Sequence, residues 1–251
     1  MRTLAAGKRG AAAAFLILLP PLLGLLIAGL GKDADSAQLF QGIVFSFTLW
    51  FMLFLLALIF GISLSSGEIE EGTVGYLYLS AVPKWLIVLI QVGVTAAGLT
   101  VALFLSLLLT ALAANLAGDP LPHLWRDVFS CTLVGGAGIL VALGYYVTCG
   151  LVCRTPLSAL AAAVIPTFFW ELLVTWWPIP FAAYTVTNNL RGLLLVLLFE
   201  GRRGPQYSYA RNFQIPSYAE ASLFLSVLAG LFLITAMIAA MNRSIEGKEA
   251  R

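Results

Sequence analysis

The fold of this chain is decided by one long apolar run, LIVLIQVGVTAAGLTVALFLSLLLTALAANL, residues 86–116, which contains no charged side chain. About 20 apolar helical residues are enough to cross the roughly 30 Å hydrocarbon core of a bilayer. Because lipid offers no hydrogen-bond partners, the backbone groups of such a run must pair within a helix. Residues 86–116 therefore predict a transmembrane helix.

Apolar runs of the same kind recur along the whole sequence. The chain is 61% hydrophobic and 10% charged, whereas soluble domains average about 45–50% apolar and about 25% charged residues. The runs are continuous and lack the period-two alternation of a membrane barrel. We predict an all-α polytopic membrane protein, with residues 1–251 forming one transmembrane domain. Its spans, about six in number, are predicted at 12–30, 39–64, 86–116, 127–150, 157–177 and 220–241.

The N-terminus allows two interpretations. Arg2, Lys8 and Arg9 precede the first apolar run, as basic residues precede the core of a secretory signal peptide. The run from 11 to 30 is longer than a signal core of about 7–15 residues, which favours a retained first span. The proline pair in this run would kink the helix, and neighbouring helices can satisfy the carbonyls it frees.

Basic residues predict the orientation, because they concentrate on the cytoplasmic side. Outside the long connection 178–219, the chain has Lys32 and Arg126 on one side of the predicted spans. The other side carries many more: Arg2, Lys8, Arg9, Lys84, Arg154, Arg243, Lys248 and Arg251. This bias predicts that both termini are cytoplasmic, in the cell (inner) membrane. The basic residues inside the connection count against it: Arg191, Arg202, Arg203 and Arg211.

The connection 178–219 is predicted to be an extracellular loop. It is rich in turn and break signals: Pro178, Pro180, Asn188, Asn189, Gly201, Gly204, Pro205 and Pro216. Within it, residues 193–199 are apolar but too short to cross a bilayer. We predict a re-entrant or interfacial helix there, before the sixth span.

The segment that joins the second and third predicted spans is SSGEIEEGTVGYLYLSAVPKW, residues 65–85. Glu68, Glu70 and Glu71 cluster here in a chain with few charges. Acidic residues suit the start of a short helix, and Pro83 would end the segment before the third span. One interpretation is a solvated connector, since charge runs are usually solvated. The other is a docking helix for a soluble partner, because exposed loop residues often carry binding.

This segment resembles a hallmark of the permease subunits of ABC transporters of the type-2 exporter family. In that family an acidic pair, a Gly-Thr and a leucine-rich stretch ending in Pro and a basic residue follow the second of six spans. The resemblance implies a cytoplasmic coupling helix between spans two and three that contacts an ATPase. The coupling residues it assigns are Glu68, Glu70, Glu71, Gly72, Thr73, Tyr76 and Pro83.

The resemblance also implies partners. A soluble ATP-binding-cassette ATPase would bind ATP and Mg²⁺ and hydrolyse the ATP, and a second permease half, a copy of this chain or a related one, would complete the pathway. The chain itself has no phosphate-binding loop of the form G-x-x-x-x-G-K-[ST], so we predict no enzyme activity and no cofactor on it. No dense basic face suggests nucleic-acid binding. The alternative is a membrane scaffold or assembly protein without transport.

Glu171 is the one carboxylate inside a predicted span. Because an acid at bilayer depth is costly, it is a candidate for the translocation pathway; the alternative is a structural role near the outer end of the span. Cys149 and Cys153 stand four residues apart but lack further soft ligands, and His123 has no zinc partners. We therefore predict no metal site.

Overall fold

The computed structural model describes residues 7–30, 35–64, 82–116, 120–153, 155–173, 183–199 and 216–249, and every regular element in these ranges is a helix. The prediction of an all-α chain is confirmed for this part of it. The helices are α1 (Lys8–Leu30), α2 (Ser36–Ile62, with a π-helical middle at Val44–Met52), α3 (Lys84–Ala114), α4 (Leu124–Val152), α5 (Pro156–Thr167, continued by a π turn at Phe168–Leu173), α6 (Val186–Phe199) and α7 (Tyr218–Glu249).

Five helices in the described ranges are long and apolar enough to cross a membrane: Gly10–Gly29, Ser36–Ile62, Lys84–Ala114, Leu124–Val152 and Tyr218–Asn242. They coincide with the predicted spans one to four and six. The predicted fifth span, 157–177, is occupied by α5, whose apolar part, Leu157–Glu171, is shorter than the other five. Residues 174–177 lie outside the described ranges, so the sixth crossing stays a prediction.

Helix α4 lies at the centre of the bundle and packs against α2, α3, α5, α6 and α7. Of its most apolar stretch 67% is buried inside the protein, against 17% for α7. Glycines let the neighbouring helices come close, as small residues commonly do between membrane helices. A Cβ atom at Gly138 would lie 2.7 Å from Leu190 on α6 and 2.9 Å from Leu53 on α2.

A proline pair interrupts the backbone bonding of α1. Pro21 has no N–H, so the carbonyl of Ile17 loses the partner that an ordinary residue would supply one turn later. The buried Ser106 on α3 fills this gap, since its hydroxyl donates to the Ile17 oxygen at 2.7 Å. The proline pair of α1 is thereby tied to α3.

Helix α5 also contains a proline, and a hydroxyl from another helix again supplies the missing hydrogen bond. Pro166 leaves the carbonyl of Ala162 without its helical donor, and the Tyr145 hydroxyl on α4 donates to that oxygen at 2.7 Å. In lipid, such freed groups need a partner from a neighbouring helix. Two hydroxyls from other helices thus make two proline-containing helices compatible with an apolar solvent.

The outer faces of the peripheral helices are apolar and exposed. On α3 the exposed side chains are Ile90, Val94, Val101, Leu105, Leu109 and Leu112, and α1 and α7 present similar rows. Water-soluble monomers rarely expose contiguous apolar areas of this extent. The faces match a protein whose solvent is hydrocarbon.

Candidate functional site

The candidate site is the junction between the end of α5 and the start of α6. Glu171 lies in the π turn that follows Pro166, and only 5% of its surface is exposed. Its carboxylate accepts three hydrogen bonds from α6. The Val186 N–H donates to Oε1 at 2.8 Å, the Thr187 N–H donates to Oε2 at 2.9 Å, and the Thr187 hydroxyl donates to Oε2 at 2.8 Å.

The chemistry of a helix start explains this arrangement. The first N–H groups of a helix have no partner within it, and the helix dipole places partial positive charge there. A carboxylate satisfies both needs, and hydrogen bonds to an ionised acceptor are about twice as strong as neutral ones. Glu171 therefore caps α6 from a different helix.

Side chains also fix the residues just before α6. The Asn189 amide donates to the carbonyls of Ala183 and Thr185, both at 2.8 Å. On the α5 side, the indole N–H of Trp170 donates to the Tyr184 carbonyl at 3.2 Å. The junction is thus a polar cluster inside an apolar bundle, and these bonds hold the backbone around the start of α6 in place.

The opposite end of α6 is held from α4. Arg126, near the start of α4, donates to the Leu197 carbonyl at 2.9 Å, so a cation meets the negative end of the helix dipole. Leu190 lies against Gly138, further along α4. Helix α6 therefore runs antiparallel to α4.

Helix α5 follows α4 after a short connection and runs back along it, as the Tyr145–Ala162 contact shows. Helices α5 and α6 consequently point the same way along α4, and α6 begins beside Glu171, which lies in the π turn that ends the described part of α5 at Leu173. Broken backbone at membrane depth is tolerated only where protein surrounds it. The buried carboxylate and its three donors meet that condition here.

Arg191 adds a charge to the middle of α6. Its Nη2 donates to the Phe45 carbonyl in the π-helical part of α2 at 3.1 Å. Among the described residues, no group accepts a bond from its buried Nε. Helix α6 is thus attached by side-chain bonds to α2, α4 and α5.

The structure places two of the predicted site residues. Glu171 is buried at the junction, and Pro83 lies directly before α3 with extended backbone angles, φ −64° and ψ 134°. The other predicted coupling residues lie outside the described ranges: Glu68, Glu70, Glu71, Gly72, Thr73 and Tyr76. Their arrangement therefore remains a prediction.

The sequence interpretation missed the partners of Glu171, which are Val186 and Thr187, and the start of the helix that holds them. Asn188 and Asn189 counted as turn signals, yet both lie inside α6 and are buried. A group of Thr and Asn residues ahead of an apolar run is a helix-start signal that could have located the beginning of α6. The helix starts at Val186, seven residues before the apolar stretch on which the prediction rested. Within the described ranges, no three His, Cys, Asp or Glu side chains come together as a metal site would require.

No protein-family model matches the chain, and a search of curated proteins finds no match to it. The likeness of residues 68–84 to type-2 exporters is therefore a resemblance of one segment. Further support for a function has to come from the placement of that segment and from the geometry of the bundle.

Proposed function

We propose that this chain is the transmembrane permease subunit of an ATP-binding-cassette exporter of the type-2 family. It moves a substrate across the cell membrane with energy from a separate soluble ATPase, which binds ATP and Mg²⁺. The observation that carries the proposal is the acidic Gly-Thr-containing segment 68–84. In a chain of apolar helices, it is the stretch that resembles a docking element for such an ATPase.

The placement of this segment supports the proposal. Helix α2 ends at Ile62 and α3 begins at Lys84, so the segment connects two helices that are long enough to span a membrane. Pro83 sits at the boundary, where its fixed φ and missing N–H suit the residue before a helix. Movement of a docking element here would be transmitted directly to the end of α2 and the start of α3.

The interrupted pair α5–α6 supports the six-span topology of the proposal. Since both helices run the same way along the central α4, together they supply a crossing that α5 alone is too short to make. With that crossing, both termini lie on the same side, in agreement with the basic-residue bias. A second permease half, a copy or a related chain, would complete the translocation pathway.

Co-purification tests the proposal against the alternative of a scaffold without transport. The chain is co-expressed with a candidate soluble ATPase that carries a phosphate-binding loop, and the amount of ATPase retained on the tagged permease is measured. We expect a stable complex with the wild type and its loss when Glu68, Glu70 and Glu71 are all replaced by Ala. The double variant Glu246→Ala, Glu249→Ala is the matched control, because it removes carboxylates from the C-terminal end and should retain the ATPase.

A topology measurement can overturn the proposal independently. Thr73→Cys is introduced into a chain in which Cys131, Cys149 and Cys153 are replaced by Ala, and intact cells are treated with a membrane-impermeant thiol reagent. His123→Cys, in the predicted outer loop, is the positive control and should label. Labelling of Thr73→Cys from outside would place the segment beyond the reach of a cytoplasmic ATPase and end the proposal.

A further inference from the structure

We propose that Tyr146 is a positioning residue that relays movement of the end of α2 to the start of α6. The inference rests on the proposed function, in which force enters the chain through the segment that follows α2. It concerns residues that the resemblance does not assign. A continuous series of close contacts leads from the last turn of α2 through α4 and α5 to α6.

The first contact is between Gly61 and Tyr146. A Cβ atom at Gly61 would lie 2.7 Å from the Tyr146 Cβ and 3.6 Å from the Val147 backbone nitrogen, so the α2 backbone rests directly on α4. No flexible side-chain end lies between Gly61 and the Tyr146 Cβ to absorb a displacement. Because packed interiors transmit strain, a shift of the α2 terminus must displace Tyr146.

The second contact is a hydrogen bond from Tyr146 to α5. Tyr146 is 1% exposed, and its hydroxyl lies 3.2 Å from the Thr167 hydroxyl. Thr167 donates its own proton to the Ala163 carbonyl at 2.8 Å. Tyr146 must therefore be the donor and Thr167 the acceptor, which gives this bond a defined direction.

The third contact is the Glu171 junction. Thr167 lies four residues before Glu171 on the same unbroken helical segment, so a displacement of one moves the other. Glu171 in turn holds the N–H groups of Val186 and Thr187. The end of α2 and the start of α6 are thus joined by groups in contact at every step, all of them buried except the half-buried Thr167, the kind of network that carries coupling between sites.

Tyr145 provides an internal contrast. It neighbours Tyr146 on α4 and also donates to α5, but its partner is the Ala162 carbonyl, on the other side of the Pro166 kink from Glu171. It does not contact Gly61 in the way that Tyr146 does. Removing the Tyr145 hydroxyl should weaken the bundle without affecting the link from α2 to α6.

The test is hydrogen exchange on the purified full chain in phospholipid nanodiscs, followed at the amides of Val186 and Thr187. We expect Gly61→Ala to increase their exchange rates, because the added methyl group displaces Tyr146. Measured against Tyr146→Phe alone, the double variant Gly61→Ala, Tyr146→Phe should show an increase about threefold smaller than the one that Gly61→Ala causes in the wild type, a factor that corresponds to the mean strength of a hydrogen bond between membrane helices. Gly24→Ala is the control, since its methyl group would press on Ala113 at 3.2 Å, between α1 and α3.

If Gly61→Ala increases the exchange rates equally with and without the Tyr146 hydroxyl, the proposal is overturned. The displacement of α2 would then reach α5 through the direct packing of these two helices. If Gly61→Ala does not fold, the single variants decide. Tyr146→Phe should raise exchange at Thr187 about threefold and Tyr145→Phe should leave it unchanged, whereas equal effects would contradict the relay.

The measurement needs no ATPase, so the two proposals can fail separately. Loss of the relay in a chain that still binds its ATPase would contradict only the role of Tyr146. A relay found in a chain that binds no ATPase would contradict the proposed function and leave the internal coupling measured.

Discussion

Helix α3 and the α5–α6 pair are built in different ways. Helix α3 runs for 31 residues without a proline, and the hydroxyls of Thr100 and Thr110 bond back to carbonyls of their own helix. The α5–α6 pair contains Pro166 and a π turn, and Glu171 closes the gap between its two helices. Hydrophobicity alone specifies α3. The α5–α6 pair depends on individual polar contacts, so single substitutions should separate the two regions.

The largest effect should come from Glu171→Ala. The change leaves two backbone N–H groups and the Thr187 hydroxyl without their acceptor inside the protein, and each such group costs about 1–3 kcal/mol. We expect the free energy of unfolding to fall by on the order of 3 kcal/mol or more. Thermal unfolding of the purified protein in detergent measures it.

Glu220→Ala is the matched control for this prediction. Glu220 also caps a helix, because its carboxylate accepts from the Ser217 N–H at 2.8 Å and its own backbone N–H donates to the Ser217 hydroxyl, but it does so at the exposed start of α7. Water can replace its contacts, so the melting temperature should shift far less. Equal losses for Glu171→Ala and Glu220→Ala would show that burial of the α5–α6 junction does not matter.

An intermediate effect is expected from glycine substitutions. Gly138→Ala forces apart the fully buried Leu190 and Leu53, and overpacking of this kind costs about 1–3 kcal/mol. Gly98→Ala on α3 meets nothing within 4 Å and should be neutral or stabilising by less than about 1 kcal/mol. A lower free energy of unfolding for Gly138→Ala, together with an unchanged or higher one for Gly98→Ala, would sharpen the contrast between the central helix α4 and the lipid-facing helix α3. Changes of the same sign in the two variants would remove that contrast.

The smallest effect should come from the hydroxyls that serve the proline kinks. Tyr145→Phe and Ser106→Ala each leave one carbonyl unpaired, and bonds of this kind between membrane helices are worth about 0.6 kcal/mol on average. Thr100→Val removes a hydroxyl whose acceptor, the Ala96 carbonyl, lies within its own helix, and should change less. A loss for Thr100→Val as large as that for Ser106→Ala would contradict the assignment.

Much of the fold could be predicted from the sequence, because the backbone of a long apolar run in a bilayer has to form its hydrogen bonds within a helix. The long runs in α3 and α4 were predicted to within a few residues of their observed ends. The cluster around Glu171 could be predicted only in part. The rarity of an acid in an apolar stretch marked Glu171, but its partners follow it by 15 and 16 residues and come close only because α6 packs on α4.

The start of α6 was missed for a local reason. Asparagines are common in turns, but here the Asn189 amide stabilises the start of α6 by donating to two backbone carbonyls a few residues before it. The proline pair of α1 was predicted to free carbonyls that neighbouring helices satisfy, but a sequence does not tell which hydroxyl will reach the freed oxygen. Ser106 is 89 residues from Ile17, and only the packing of α1 on α3 joins them.

The bond from Ser106 to Ile17 has a consequence for biogenesis. The chain is made from its N-terminus, so α1 reaches the membrane well before α3 has been synthesised. Until then, the carbonyl that Pro21 deprives of its donor has no partner on α1 and faces lipid or the insertion machinery. The Ile17 carbonyl therefore gains its hydrogen-bond donor only when α3 is inserted beside α1, which favours release of the two helices into the bilayer as a pair.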